Sequence, residues 1–319
     1  MPIKIAEDLP AVKVLLGEDV FAIEQNRAVH QDIRPLRLLI LNLMPNKIDT
    51  EIQLLRLISQ SPLQIDVDFL KITSHEHKNT SVGHLKKFYL EFSQVKDTCY
   101  DGLIITGAPV EQLSFEKVDY WQELKDIMDW SQSHVTSVIH ICWGAQAGLY
   151  HHFGVKKIPY AEKLFGIYSQ NKVGNHRLCR GFDDEFWAPQ SRYTGIDTLS
   201  IDPKELQILS QDPEIGPNLL ISKDDHDIFI LGHFEYDTDS LEKEYLRDQE
   251  RGLATKRPVN YYKEDNPDKG ICNRWRGHAH LLYHNWLNDV YQMTPFDLEE
   301  IPRLQVERRE LQNIQKADS

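Results

Sequence analysis

Cysteine is scarce: four residues in 319, at positions 99, 142, 179 and 272. No two stand in a CxxC spacing, which excludes a zinc ribbon and a CxxC redox pair. Four in a chain of this length make no disulfide framework, and a reducing cytosol is the expected setting. Long hydrophobic runs are also missing. The most apolar stretch, Leu36 to Met44, is broken by Arg37 and Asn42 and is far too short to cross a bilayer. The opening MPIKIAEDLP lacks the apolar core of a signal peptide, so a soluble cytoplasmic protein with no membrane partner is expected. Positive charge is in deficit, with 36 Lys and Arg against 49 Asp and Glu for a net −13. A surface of that sign repels phosphate backbones, and no basic patch offsets it, so no nucleic-acid partner is expected. Walker A and dinucleotide fingerprints, internal repeats and low-complexity tracts are absent as well.

What remains is a rhythm. Short apolar runs alternate with amphipathic stretches, as in an α/β fold with a mostly parallel sheet flanked by helices. LRLLILNLM (36–44), QIDVDFL (64–70), DGLIITGAP (101–109), VTSVIHI (135–141) and HDIFIL (226–231) read as strands. Residues 50–60 with Thr50 as cap, 84–92, 117–132, 144–153, 238–252 and 274–291 read as helices. Residues 155–200 and 257–270 read as loops, the first as substrate-facing, and the charged tail after 300 as mobile. No linker is evident. One α/β domain over 1–319 is expected, elaborated at 1–33 and 255–319.

Cys142 lies where the strand VTSVIHI meets a helix, with Gly144, Ala145, Ala147 and Gly148 beside it. Small neighbours permit the sharp turn that presents a nucleophile, and the positive end of a helix favours a thiolate. The competing reading is a buried core cysteine. His233 and Glu235, two apart at the end of another strand, point the same way. An acid-steadied imidazole facing the thiol is the base such a nucleophile needs. The turn TGAP (106–109) can aim the backbone amide of Gly107 at an oxyanion, with that of Trp143 as partner. All three features fall at the carboxyl ends of strands, where open α/β sheets bind ligands.

DGLIITGAP, HICWGAQAG and GHFEYD together resemble the class I glutamine amidotransferase-like (flavodoxin-like) fold. IRPLRLLILNLMPNKIDTE (33–51), TGAPVE (106–111), AEKLFG (161–166), GFDDEFWAPQSRY (181–193), HNWLNDVYQMTPFDL (284–298) and the opening MPIKIAEDLPA sharpen the match. They resemble its acyltransferase branch, the homoserine O-acyltransferases of methionine biosynthesis, in the acetyl-CoA-using type. The resemblance implies a Cys142–His233–Glu235 triad that takes an acyl group from acyl-CoA as a thioester and passes it to L-homoserine. It implies amino-acid binding by Lys163, Ser191 and Arg247, with Glu244 one turn away, and an oxyanion role for Lys47. Acetyl-CoA would be a co-substrate, with no resident cofactor. The oligomeric state stays open, a homodimer being one candidate.

Glu111 is the position that, by resemblance, sorts donors: glycine there goes with succinyl-CoA, glutamate with acetyl-CoA. Physics gives the same sign. Two carboxylates 4 Å apart at an effective dielectric of 20 repel by about 4 kcal/mol, an upper figure equivalent to roughly a thousandfold. After LFGIY (164–168) the chain reads SQNKVGNHRLCR, where relatives resembling it carry an acid, a histidine and a longer loop. That segment is expected near the acceptor site, so homoserine and the one-carbon-shorter serine both stay open. Glutamine amide hydrolysis is the more distant alternative. His151 and His152 adjoin on a helix and are expected to face different ways. His280 and His284 have i, i+4 spacing without HExxH, so no metal site is expected.

Overall fold

The computed structural model describes residues 34–75 and 80–317, with residues 3–5, 9–10, 13–14 and 22–24 near the start. Most of the expected elaboration at 1–33, including six of the eleven residues of the MPIKIAEDLPA motif, lies outside the described residues.

The strands are β1 (Ile3–Ile5), β2 (Ala22–Glu24), β3 (Leu36–Leu41), β4 (Ile65–Leu70), β5 (Tyr89–Leu90), β6 (Tyr100–Ile105), β7 (Val135–Ile141), β8 (Lys157–Lys172), β9 (Glu185–Ile196), β10 (Leu206–Asp212), β11 (Gly216–Ser222) and β12 (Asp227–Ile230). The principal helices are α1 (Lys47–Ile58), α2 (Val82–Phe88), α3 (Phe92–Val95), α4 (Trp121–His134), α5 (Trp143–Phe153), α6 (Ser240–Glu250), α7 (Arg276–Met293) and α8 (Ile301–Ala317). One sheet runs β2-β1-β4-β3-β6-β7-β12-β11-β10-β8-β9, with β5 beside β4. Every pair from β2 to β12 is parallel, and every pair from β12 to β9 is antiparallel.

The parallel half follows from its sequence. β6 and β7 are buried at every position, as strands covered on both faces must be. One face packs against α1 and α7, where Trp286 is fully buried and its indole N–H reaches Ser137 Oγ at 3.1 Å. The other packs against α4, whose Trp121, Leu124, Ile127, Met128 and Trp130 are all buried. Since β3, β6, β7 and β12 run in one direction, their carboxyl ends open on one side of the sheet.

Four expectations need correction. Residues 155–200 are no loop. They form the β8–β9 hairpin, whose polar, Pro- and Gly-containing strands gain their order from antiparallel pairing. Thr50 is not the cap of its helix, because α1 already begins at Lys47 and the Thr50 hydroxyl bonds back to the Asn46 carbonyl at 3.2 Å. The expected helix 84–92 begins at Val82 and stops at Phe88, where Tyr89 and Leu90 join β4 as a strand. The tail after 300 is helix α8. Ile301 is buried, and Gln305 Nε2 donates to the Val135 carbonyl at 2.6 Å. Arg303, Glu307 and Glu310 are exposed, Arg303 pairing with Glu307 at 2.8 Å, while Arg308 turns inward to the Thr136 carbonyl at 3.4 Å.

Candidate active site

Cys142 sits at the junction of β7 and α5 with φ 51° and ψ −113°, a backbone conformation that costs a side-chain-bearing residue strain. Two hydrogen bonds hold it there. Its N–H donates to the Ile230 carbonyl at 2.7 Å, and its carbonyl accepts from Gln146 N at 3.0 Å. Gly144 is required next to it, since a Cβ there would lie 2.6 Å from the Thr106 carbonyl oxygen. The end of β6 therefore presses directly on the start of α5. A Cβ on Gly107 would lie 3.3 Å from Cys142 Cβ and 3.7 Å from the Trp143 nitrogen. The two segments expected to supply oxyanion donors are thus in contact beside the thiol.

The β12 exit brings up His233, the expected base. His233 N donates to the Pro189 carbonyl at 2.9 Å, tying the loop to β9. His233 Nδ1 and Glu235 Oε1 are 2.6 Å apart, and the imidazole stacks on Tyr236 at 4.1 Å and 15°. With Nδ1 engaged by Glu235, Nε2 is the ring nitrogen left for the neighbouring Cys142. Burial disfavours a charged imidazole here. The interactions with Cys142 and Glu235 outweigh it and lift His233 well above its ordinary pKa.

A second cluster lies between β8, β9 and α6. Lys163 Nζ bonds Glu244 Oε1 at 2.7 Å and Asp248 Oδ2 at 2.9 Å, over the rings of Phe165 and Tyr193. Ser191 Oγ donates to Glu244 Oε1 at 2.8 Å. Arg247 reaches Glu244 at 3.4 Å and Asp248 at 3.0 Å, with half its side chain exposed. The four expected amino-acid-binding residues are therefore together, with Arg247 turned to solvent. Asp248 is a member the sequence reading missed. Its i, i+4 spacing from Glu244 on one helix was the available signal.

Glu111 stands between the two clusters. Its Oε2 accepts from Tyr193 N at 2.8 Å and lies 3.3 Å from Thr194 Oγ1. Burial raises its pKa, and these hydrogen bonds with the charges of His233 and Lys163 oppose the rise. Lys47 lies further back. Its ammonium bonds the Asn42 carbonyl at 2.6 Å and the Met44 carbonyl at 3.4 Å, and these contacts run to the loop after β3 instead of to Cys142 or Gly107. That loop connects onward: Leu43 N donates to Thr106 Oγ1 at 2.8 Å, and Thr106 Oγ1 reaches the Gly107 carbonyl at 3.1 Å. Burial lowers the Lys47 pKa to about 8, partly against the attraction of Glu51.

The divergent segment 169–180, expected near the acceptor site, is not beside Lys163, Ser191, Glu244 and Arg247. It caps the distant end of the β8–β9 hairpin, six or more residues beyond Lys163 along β8, roughly 20 Å. There Arg177 pairs with Asp225 and Asp289, and Asn285 bonds the Leu178 and Arg180 carbonyls. His151 and His152 do not diverge either: with Asp129 they bring one possible ligand atom each within 4.8 Å. His151 Nε2 is already 2.7 Å from Asp129 Oδ1. This is the one such group among the described residues. No helix among them is long and apolar enough to cross a membrane.

The fold has a solved counterpart. A glutamine amidotransferase from Thermotoga maritima superposes with a TM-score of 0.53, covering 81% of this chain and 99% of its own at 12% identity. The class is therefore the class I glutamine amidotransferase-like fold. Sequence narrows it. The profile of the family described as "Homoserine O-succinyltransferase" matches residues 2–296. A Petrotoga mobilis protein named homoserine O-acetyltransferase is 53% identical over 304 residues, 94% of this chain and 98% of its own. Proteins of that name from Clostridium acetobutylicum and Bacteroides fragilis are 53% and 49% identical, covering 93% and 94% of this chain and all of their own. The chain belongs to the homoserine O-acyltransferase family and is an acyltransferase.

Proposed function

We propose that this enzyme is a homoserine O-acetyltransferase of methionine biosynthesis, working by a ping-pong route in the cytoplasm. The observation that carries the reading is the buried set Cys142, His233 and Glu235 with the polar cluster of Lys163, Ser191, Glu244 and Arg247 across Glu111 from it. The Cys142 sulfur attacks the acetyl carbonyl of acetyl-CoA, forming the new S–C bond. The amides of Gly107 and Trp143 take up the oxyanion, supported from behind by Lys47 through the Asn42–Met44 loop and Thr106. The bond to CoA breaks, and its sulfur leaves as the thiol with the proton from His233. Homoserine then docks with its carboxylate on Arg247 and its ammonium toward Glu244. His233 removes the hydroxyl proton, the oxygen attacks the thioester, and the C–S bond breaks to return the thiolate. Two acyl transfers replace one difficult step.

The acetyl donor is favoured over succinyl by Glu111, whose carboxylate lies within the fields of both His233 and Lys163. Incubation with acetyl-CoA, followed by peptide mass spectrometry, tests the reading. One acetyl group on Cys142, absent in Cys142→Ala and discharged faster by homoserine than by serine, is the expected result. A protein that acquires no acetyl group and hydrolyses glutamine instead would overturn it.

A further inference from the structure

The hold on Glu111 grows out of an irregularity in the hairpin. Along β8 and β9 the register steps from Pro159 opposite Thr194 to Leu164 opposite Arg192. Four residues, Tyr160 to Lys163, bulge across from one, and Tyr193 falls outside the paired register. Its N–H, released from the ladder, is the donor that Glu111 Oε2 receives. The bulge thus does two things at once, placing Lys163 in the acceptor cluster and freeing an amide for Glu111.

Thr194, the next residue, faces the same carboxylate oxygen and is itself gripped on both sides by Gln146. The single proton of Thr194 Oγ1 is shared between Gln146 Oε1 at 2.8 Å and Glu111 Oε2 at 3.3 Å, and Gln146 Nε2 donates to the Thr194 carbonyl at 3.1 Å. A carbonyl can only accept, so the Gln146 amide has one orientation, with its oxygen toward the threonine hydroxyl. Both residues are buried. Gln146 lies one turn beyond Cys142, whose carbonyl accepts from the Gln146 N–H. The nucleophile turn, Gln146, Thr194 and Glu111 form one connected unit.

Charge repulsion discriminates between donors only while the repelling carboxylate stays in place. A glutamate free to change rotamer swings away from a second carboxylate and the selectivity is lost. We propose that Thr194 is the positioning residue that, with the freed Tyr193 amide, pins Glu111 beside the acyl site and so excludes acyl-CoA donors with a terminal carboxylate. This rests on the reading of Glu111 as the donor gate.

The test compares kcat/KM for acetyl-CoA and succinyl-CoA in wild type, Glu111→Gly, Thr194→Val and Thr194→Ser. Glu111→Gly is expected to collapse the acetyl-to-succinyl ratio. Thr194→Val, which removes the hydroxyl at nearly constant shape, is expected to lower the ratio about tenfold, the worth of one polar contact. Thr194→Ser is expected to stay within about twofold of wild type, because it keeps the hydroxyl. If the valine variant does not fold, Thr194→Ala replaces it. A ratio unchanged in the hydroxyl-less variant while Glu111→Gly collapses it would overturn the role of Thr194, as would an equal fall in Thr194→Ser. A ratio unchanged in Glu111→Gly would instead remove the gate itself.

Discussion

The two halves of the sheet do different work. The parallel half, β3 to β12, supplies the thiol, the imidazole with its acid, and the turn at Gly107, all at the ends of fully buried strands. The antiparallel half supplies the cluster at Lys163 and Ser191 and the hold on Glu111, from strands that are half polar. On the proposed reading, chemistry sits on the parallel half and selection on the half whose register a bulge alters. A change at the thiol, the imidazole or the Gly107 turn should therefore lower kcat for every donor and acceptor alike. A change in the hairpin, or in Glu111 and the α6 residues that the hairpin meets, should redistribute preference among them.

The largest expected break of that pattern is Glu235→Gln. It keeps the shape but leaves the imidazole without its charged partner, and kcat should fall about 10²–10⁴-fold with either donor. Steady-state kinetics check this, and a change in donor ratio in place of kcat would contradict the division. The next effect concerns Lys47. Its ammonium, with a pKa lowered to about 8, is charged below that pH and neutral above it. If its charge steadies the oxyanion turn, kcat falls as pH rises through about 8. Lys47→Met should remove that alkaline limb and lower the plateau about tenfold. An unchanged limb in the variant assigns it to another group. The smallest effect is expected at α8. Gln305→Ala strips buried carbonyls of a donor and should cost about 1–2 kcal/mol of stability, read by denaturant unfolding. Arg303→Ala, at an exposed pair, should cost at most about 0.5 kcal/mol.

The same division explains what could be read from the sequence. Strands buried on both faces announce themselves as unbroken apolar runs, so β3, β6, β7 and β12 were legible, and with them Cys142, His233 and Glu235. The hairpin was not. Its strands carry Pro159, Gly166, Pro189 and Gly195 among polar residues, and their order comes from each other and from β10, more than 30 positions on. Lys163 and Ser191 were found through a family resemblance, not through any pattern of their own. Thr194 and Asp248 were missed. Asp248 was findable from helical spacing, whereas nothing local marks Thr194, whose partners Glu111 and Gln146 lie 83 and 48 positions away. The tail after 300 was misread because its charge hides the single stripe that docks on β7.

Rapid mixing of an Arg247→Ala variant with acetyl-CoA, with free CoA as the readout, tests the division most directly. The account predicts a burst of CoA equal to that of wild type, followed by little turnover with homoserine, because the acyl group still reaches Cys142 but the acceptor is no longer held. Loss of the burst along with the turnover would contradict it, since the acceptor cluster would then be needed for the chemistry of the thiol.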